Sequence, residues 1–590
     1  MISLIENKHF IRGIRTATAL LLIAPTLIFA DSETSSGSED EKAQIPDPYI
    51  RAFRDVVYDQ RPPRPVPGRD YGMITEDGKF THPKATPMVT DPPTFEGQLD
   101  YWDQNSYAKN VEVVNFVPEI VSPFHLWQNI VDFGDRRIMY SYGGRDLGVF
   151  DITDPKDVKT LWRGGTVYSG DGFGPEENPL PPGDRYGAAS IQWNNELGKY
   201  VMVQSLEVAR IGVMHDKLTE PEGVEKIRKW GALKGFKVYA LNGPLPSEWE
   251  LLAAVTTDYE HPNAPIGKQQ GSGSLDVPAW FGGKYMFLAA APNDSYALIE
   301  YPDYLHSPGY QAWDMSDPRN PRLLDQFAAP GQIVGDKDHE DAYLMNPRAG
   351  NRTSWMGSRM PPFLSQPVEE GGRYAFGGMA GLGLHVLDVS DPENMQSVGH
   401  LALPPKFGGT EADNIDVSQY ERTGYVFMNG YPMNDECFEP YKDIFVIDAK
   451  DVTNPHVVTT FPRPTPPENA AFTDYCQRRG SFGPKRPGYH TTQPGRWMQN
   501  IVPYAFYNAG VQLFDVSDPT NPTIAGYYVP RFPNEGEIFG SAYGNLTFGI
   551  YVEYDRNIIW AFTNHGFYAL TSPLLGNPIN GVPKESWPTR

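Results

Sequence analysis

Three histidines set the chemical question. His125 and His490 stand almost equally far ahead of two repeated aspartates, Asp151 and Asp515, and His339 lies in the run Asp338-His339-Glu340-Asp341. Imidazoles mixed with carboxylates from separate strands are the donor set of a Zn, Fe, Mn or Cu centre, which could polarise a carbonyl or activate water. Asp276, Glu411 and Asp413 are the acids at comparable positions. No HxH or HExxH spacing supports chelation, so the same histidines could equally bond loop backbone. His385, His400 and His456 fall in outer strands and read as structural. There is no GxSxG elbow, no Walker loop and no glycine fingerprint leading into a helix. Aromatics are dense in the same stretches, among them Trp355, Phe363, Phe472, Tyr475, Phe482, Tyr489 and Trp497. They could stack on a ligand or merely pack the loops.

What must position these residues is visible as a repeat. Five segments share an alternating apolar strand ending in Asp and a Ser/Thr-Asp-Pro turn or a variant of it: VFDITDP (149–155), AWDMSDP (312–318), VLDVSDP (386–392), VIDAKDV (446–452) and LFDVSDP (513–519). Two weaker copies, VYALNGP (238–244) and FYALTSP (567–573), keep the register but put Ala240 and Ala569 where the first acid stands. Proline fixes its own φ and biases its predecessor towards extended backbone, while Asp bonds the local chain, so a strand stops there. A further strand follows most copies, as in NPRLLDQF and NPTIAGYY, and another precedes them, as in RIMYSYG and KYMFLAA. With 57 glycines and 56 prolines and little helical periodicity, the pattern predicts an all-β, seven-bladed β-propeller of four-stranded antiparallel blades. The last copy lacks a following strand, whereas NVEVVNFV (110–117) is an orphan of the fourth-strand type. The N-terminal strand is therefore expected to complete the last blade and close the ring.

On these motifs the chain resembles the LVIVD-repeat proteins, exported or surface β-propellers of bacteria and archaea. The resemblance implies fold and compartment; it implies no shared reaction.

Residues 1–30, with a basic start, an apolar run from Ala17 to Phe29 and Ala30 before Asp31, read as a secretory signal peptide too short to span a bilayer. Residues 31–106 form an N-terminal extension that starts with a solvated leader, 31–45; 107–573 is the propeller and 574–590 a tail. No later stretch is apolar enough to cross a membrane, so the expected location is periplasmic, cell-surface or extracellular. A net charge of −23 repels phosphate backbones and argues against nucleic acid as a partner. In an oxidising compartment Cys437 and Cys476, the only cysteines, are expected to pair.

Two functions remain open at this level. One is a binding or scaffold module whose long loops, gathered on one face, capture a protein, glycan or small molecule; on that reading Asp276, Glu411, Asp413, Trp355, Tyr489 and Trp497 are binding candidates. The other is a metal-dependent hydrolase, lactonase or oxidoreductase built on His125, His339 and His490.

Overall fold

The computed structural model describes residues 73–74, 80–81, 103–118, 127–142, 147–164, 184–208, 235–256, 277–290, 309–329, 360–379, 383–401, 412–432, 442–478, 481–488, 499–532 and 547–583. Alternating strands fold back on themselves into seven small antiparallel sheets, the blades of a propeller. From the axis outward, blade one is Trp127–Phe133, Arg136–Tyr142, Leu147–Asp151 and Lys159–Gly164. Blade two is Asp184–Asn194, Lys199–Val208, Gly235–Leu241 and Trp249–Thr256; blade three is Ala279–Trp280, Tyr285–Ala290, Gly309–Asp314 and Arg322–Phe327. Blade four has Tyr374–Gly378, Leu384–Asp388 and Gln396–Leu401, with only the bridge Phe363 to Phe376 where an inner strand would run. Blade five is Asn414–Asp416, Tyr425–Asn429, Ile444–Asp448 and His456–Thr460.

Blade six runs Arg486–Pro487, Ile501–Ala505, Val511–Asp515 and Thr523–Val529, then adds a fifth strand, Tyr107–Lys109. Blade seven is Thr547–Glu553, Ile558–Thr563 and Gly566–Thr571, completed by Glu112–Val117. The expected closure is thus present, with Val117 opposite Phe567 and Glu112 opposite Thr571. The fifth strand was not anticipated: the N-terminal strap pairs with both of the last two blades, turning between them at Asn110, whose φ is 55°. Gly566 admits the strap, because a Cβ there would lie 2.4 Å from the Val117 carbonyl oxygen.

Every copy of the repeat, weak ones included, carries the same irregularity. The ladder between third and outer strands slips at Val149/Phe150, Val238/Tyr239, Ala312/Trp313, Val386/Leu387, Val446/Ile447, Leu513/Phe514 and Ala569/Leu570. A bulge at that point adds twist and bends the edge strand away from flat pairing. The strap obeys it too, so it behaves as a native fourth strand.

The repeat acids hold turns. Asp151, Asp314, Asp388, Asp448 and Asp515 each accept the backbone N–H two residues on, and Asp154, Asp317, Asp391, Asp451 and Asp518 do the same in the second half of the motif. The second oxygen of four of the first set meets a cation: Arg136, Arg322, Arg373 and Lys450. Partial burial alone would raise these acids; hydrogen bonds from the turn and from the cation outweigh it and hold them below the ordinary aspartate value. Their role is local, which explains why Ala240 can replace one of them; in the last copy the ladder puts Thr571, opposite Glu112, rather than Ala569 at the acid's place, a correction to the expected register.

Apolar layers fill the spaces between blades. Ile130, Met139 and Phe150 of blade one pack on Trp560 and Phe567 of blade seven, and equivalent layers join the other neighbours. At the blade seven to one junction lies a buried ionic lock. The Arg137 guanidinium reaches Asp132 at 2.7 Å, Glu553 at 2.7 Å and Asp555 at 2.8 Å, and Glu553 also takes Arg556 at 2.6 Å and the Trp560 indole N–H. Arg137, Glu553 and Arg556 are all fully buried. No described helix is long and apolar enough to cross a membrane.

Candidate functional site at the axial mouth

Strand directions separate the two ends of the ring. One end carries the repeat turns and the short links between first and second strands, such as 134–135 of blade one. The other takes the chain from blade to blade and from second to third strands, through the segments 165–183, 209–234, 257–276, 291–308, 330–359 and 461–485. The turn end is less bare than expected: blade five carries the short helix Tyr420–Thr423 there, and blade six links its first two strands through 488–500.

At the loop-bearing end, side chains from four blades meet across the axis. Arg486 opens the inner strand of blade six, and its guanidinium lies 4.0 Å from the ring centroid of Trp127, which opens blade one. The same guanidinium donates to Asn414 Oδ1 of blade five at 2.6 Å and to Met360 Sδ, ahead of blade four, at 2.9 Å. Asn414 in turn donates to Asp413 Oδ2 at 2.8 Å and to the Lys485 carbonyl at 3.0 Å. The Lys485 ammonium sits 3.1 Å from the Tyr431 ring centroid, and Arg463 pairs with Asp443 at 2.7 Å. Trp127, Asp413, Asn414, Lys485 and Arg486 are all buried. The assembly buries two cations against aromatic rings and an amide, with Arg463 and Asp443 as its ion pair. Deeper in blade five, burial pushes Asp416 up to about 6, although its Oδ1 accepts the Ser418 N–H.

Of the sequence candidates, Asp413 is part of this mouth. His125, His339, His490, Asp276, Glu411, Trp355, Tyr489, Trp497 and Cys437 lie outside the described residues. Their flanks are informative: Trp127, two residues after His125, pairs with Tyr142 at the loop-bearing end, whereas Gly488, two residues before His490, already bonds Pro503 below the Arg486 level. Among the described residues, no group of three His, Cys, Asp or Glu side chains could hold a metal ion. Four loop aromatics turn out to be packing: Phe363 is in the core of the first five blades, and Phe472, Tyr475 and Phe482 fill the space between blades five and six. Arg486, Trp127 and Asn414 were missed, because a cluster assembled from four blades leaves no local signal.

The outer-strand histidines are structural, as expected. His385 and His400 are cross-strand partners in blade four, stacked at 4.3 Å with Phe327 against the first. Burial, reinforced by His400, pushes His385 down to about 3 from 6.5. The unfolded chain then binds a proton that the native chain refuses, so this contribution to stability is present above about pH 6.5 and drains as pH falls towards 3. Replacing His385 with Phe should flatten the acid limb by about 1.4 kcal/mol per pH unit. Urea denaturation across that range reads it; parallel profiles for parent and variant would refute it.

A ring of seven radially stacked sheets, closed by its own N-terminal strand and capped at one end by a polar axial cluster, is a seven-bladed β-propeller. No protein-family model matches the chain, and no curated protein matches it. Similar solved structures include Sqt1 from Chaetomium thermophilum, 8% identical over 75% of this chain and 81% of that one with a TM-score of 0.39. The same protein bound to the N-terminus of the ribosomal protein L10 is 10% identical, with 75% and 92% coverage and a TM-score of 0.34. A functionally unknown protein from Desulfotomaculum acetoxidans is 9% identical, with 68% and 84% coverage and a TM-score of 0.34.

Proposed function

We propose that this chain is an exported propeller of the LVIVD-repeat kind that works as a binding or scaffold module, capturing a protein, glycan or small molecule on its loop-bearing end. The observation that carries this reading is the unequal treatment of the two ends. Asx turns pin the repeat end at each acidic copy, while the long connections leave from the other, over a polar mouth. One of those connections is built as a platform: Arg478 is fully buried between Phe472 and Phe532 and donates to the carbonyls of Asn508 and Pro530, fastening 475–478 to blade six. The mature protein should bind one member of a glycan array, metabolite set or peptide library saturably. A variant with 209–234 replaced by a short Gly-Ser linker should keep its melting temperature and lose that binding. Stoichiometric Zn, Fe, Mn or Cu in protein purified without chelators would overturn the reading in favour of a metal enzyme on His125, His339 and His490.

A bridge between Cys437 and Cys476 belongs to the same proposal. Cys476 is fully buried, and its N–H donates to Asp474 at 2.8 Å. The staple should contribute about 2–4 kcal/mol and hold the two Cα atoms within about 7 Å. Mass spectrometry after alkylation without reductant should find neither cysteine labelled; labelling of both would sink it.

A further inference from the structure

We propose that Asp416 is a proton-operated lock on the seam between blades five and six, closed while its carboxyl is neutral and loosened when it is charged. The proposal extends the reading of the loop-bearing end as the binding end, because that seam carries the axial mouth, yet it is testable with no ligand. Asp416 ends the inner strand of blade five opposite Phe427, and Phe427 stands opposite Val446. Directly opposed residues share one face of a sheet, and Phe427 and Val446 pack with Tyr504, Phe506 and Phe514 of blade six. The carboxyl therefore lies in the seam. Tyr504 enters the same seam from the second strand of blade six, its ring 5.8 Å from that of Phe461, which is 4.9 Å from that of Phe427. Both Asp416 and Tyr504 are fully buried, and neither Asp416 Oδ2 nor the Tyr504 hydroxyl has a hydrogen-bond partner.

The titratable and charged groups around the acid come from three blades, and among the described residues no cation pairs with it. Tyr504 of blade six and Tyr554 of blade seven are both raised, by burial first and by the Asp416 charge after it. Towards the mouth, Arg486 donates to Asn414, Lys485 lies over Tyr431 and Asp413 accepts from Asn414. Towards the turn end, Arg422 bonds Gln419 and Asn500. Ionisation thus leaves a bare charge among aromatic rings, and burial pushes the acid up to about 6 against the bonds from Ser418 that favour its charge. Such a charge is relieved when water reaches it, and water arrives by the parting of the two blades. Asn414, two residues before Asp416 on the same face, crosses the same seam to the Lys485 carbonyl and to Arg486, so loosening is passed to the mouth. A native value above the ordinary 3.8 makes the closed seam most stable below 3.8, and that stability is lost as pH rises through about 6.

The test is amide hydrogen exchange of the full chain by mass spectrometry at about pH 5 and pH 7.5, corrected for the intrinsic rate at each pH. Peptides covering 412–429 and 499–514 should exchange about tenfold faster at the higher pH, the ratio that 3.8 in the open seam and about 6 in the closed one give over that interval. Peptides covering 199–208 and 235–241 of blade two should keep one corrected rate. Asp416→Asn retains the shape without the charge and should hold the seam at the same corrected rate at both pH values. Tyr504→Phe keeps the acid, removes the facing hydroxyl and should move the midpoint of the response upward; with the ratio in the parent, it decides the matter even if Asp416→Asn does not fold. Seam and blade-two peptides that respond alike, a response retained in Asp416→Asn, or a midpoint unmoved in Tyr504→Phe would overturn the proposal. Failure of the 209–234 replacement to abolish ligand capture would strike the binding reading instead and leave these exchange rates unaffected.

Discussion

Changing Arg137 to Ala is expected to cost about 3–5 kcal/mol, among the largest effects of any single substitution in this chain. Its guanidinium answers Asp132, Glu553 and Asp555 at once, and neither Arg137 nor Glu553 has any exposed surface. Without it, carboxylates from blades one and seven face each other at a largely buried junction. Arg556 still satisfies part of Glu553, through bonds of 2.6 and 2.8 Å, but Asp132 and Asp555 lose their shared cation. Burial alone would raise Glu553; its two arginines outweigh that and hold it below the ordinary glutamate value, and losing one of them weakens the hold. The double variant Arg137→Met with Glu553→Leu should be less damaged than Arg137→Ala, because it removes both sides of the pair. Chemical denaturation measures both. A single-variant cost below about 1 kcal/mol, the range of a surface ion pair, would show that the junction is not held this way.

Removing the N-terminal strap should be comparably severe. A chain lacking 31–120 leaves the third strand of blade seven as a bare edge and strips the fifth strand from blade six. Burial of Val111 and Val117 alone is worth on the order of 3–6 kcal/mol, before the lost ladder bonds are counted. The strap also bonds sideways: the Tyr107 hydroxyl donates to Asp103 and accepts the Ala471 N–H, and the Ser572 hydroxyl donates to the Asn110 carbonyl. Deletion of 31–45 should leave the melting temperature unchanged. Calorimetry on the two truncations decides the matter, and equal effects would remove the strap from the account of closure.

The parts of this molecule that could be read from the chain are those written in short stretches. An alternating strand, an Asp and a Pro lie within seven residues, so each copy announces its strand end and its turn, and an orphan strand of the right type announces closure. Tyr107–Lys109 could not be read because three residues carry no period, and the reversal at Asn110 breaks any pattern that would join it to Glu112–Val117. The equal offsets of His125 and His490 suggested equal register; both residues lie outside the described ones. Arg137 and Glu553 are separated by 416 positions, and the meeting of Arg486 with Trp127 likewise depends on the ring being closed. Such contacts are consequences of topology, with no local trace.

That topology fixes an order of events. A chain is made from its N-terminus, so Glu112–Val117 is synthesised before any blade, while its partner Gly566–Thr571 comes after all the others. Six blades can form between near neighbours in sequence, but the seventh joins opposite ends of the domain, and the loop that must close is nearly as long as the propeller itself. Until the last strand is available, the first is an unpaired edge with four of its six side chains apolar, the kind of surface that recruits a second chain. The bond that makes the finished ring endless is thus also the slowest to arrive, and the newborn protein is most exposed to self-association in the interval before the two ends meet.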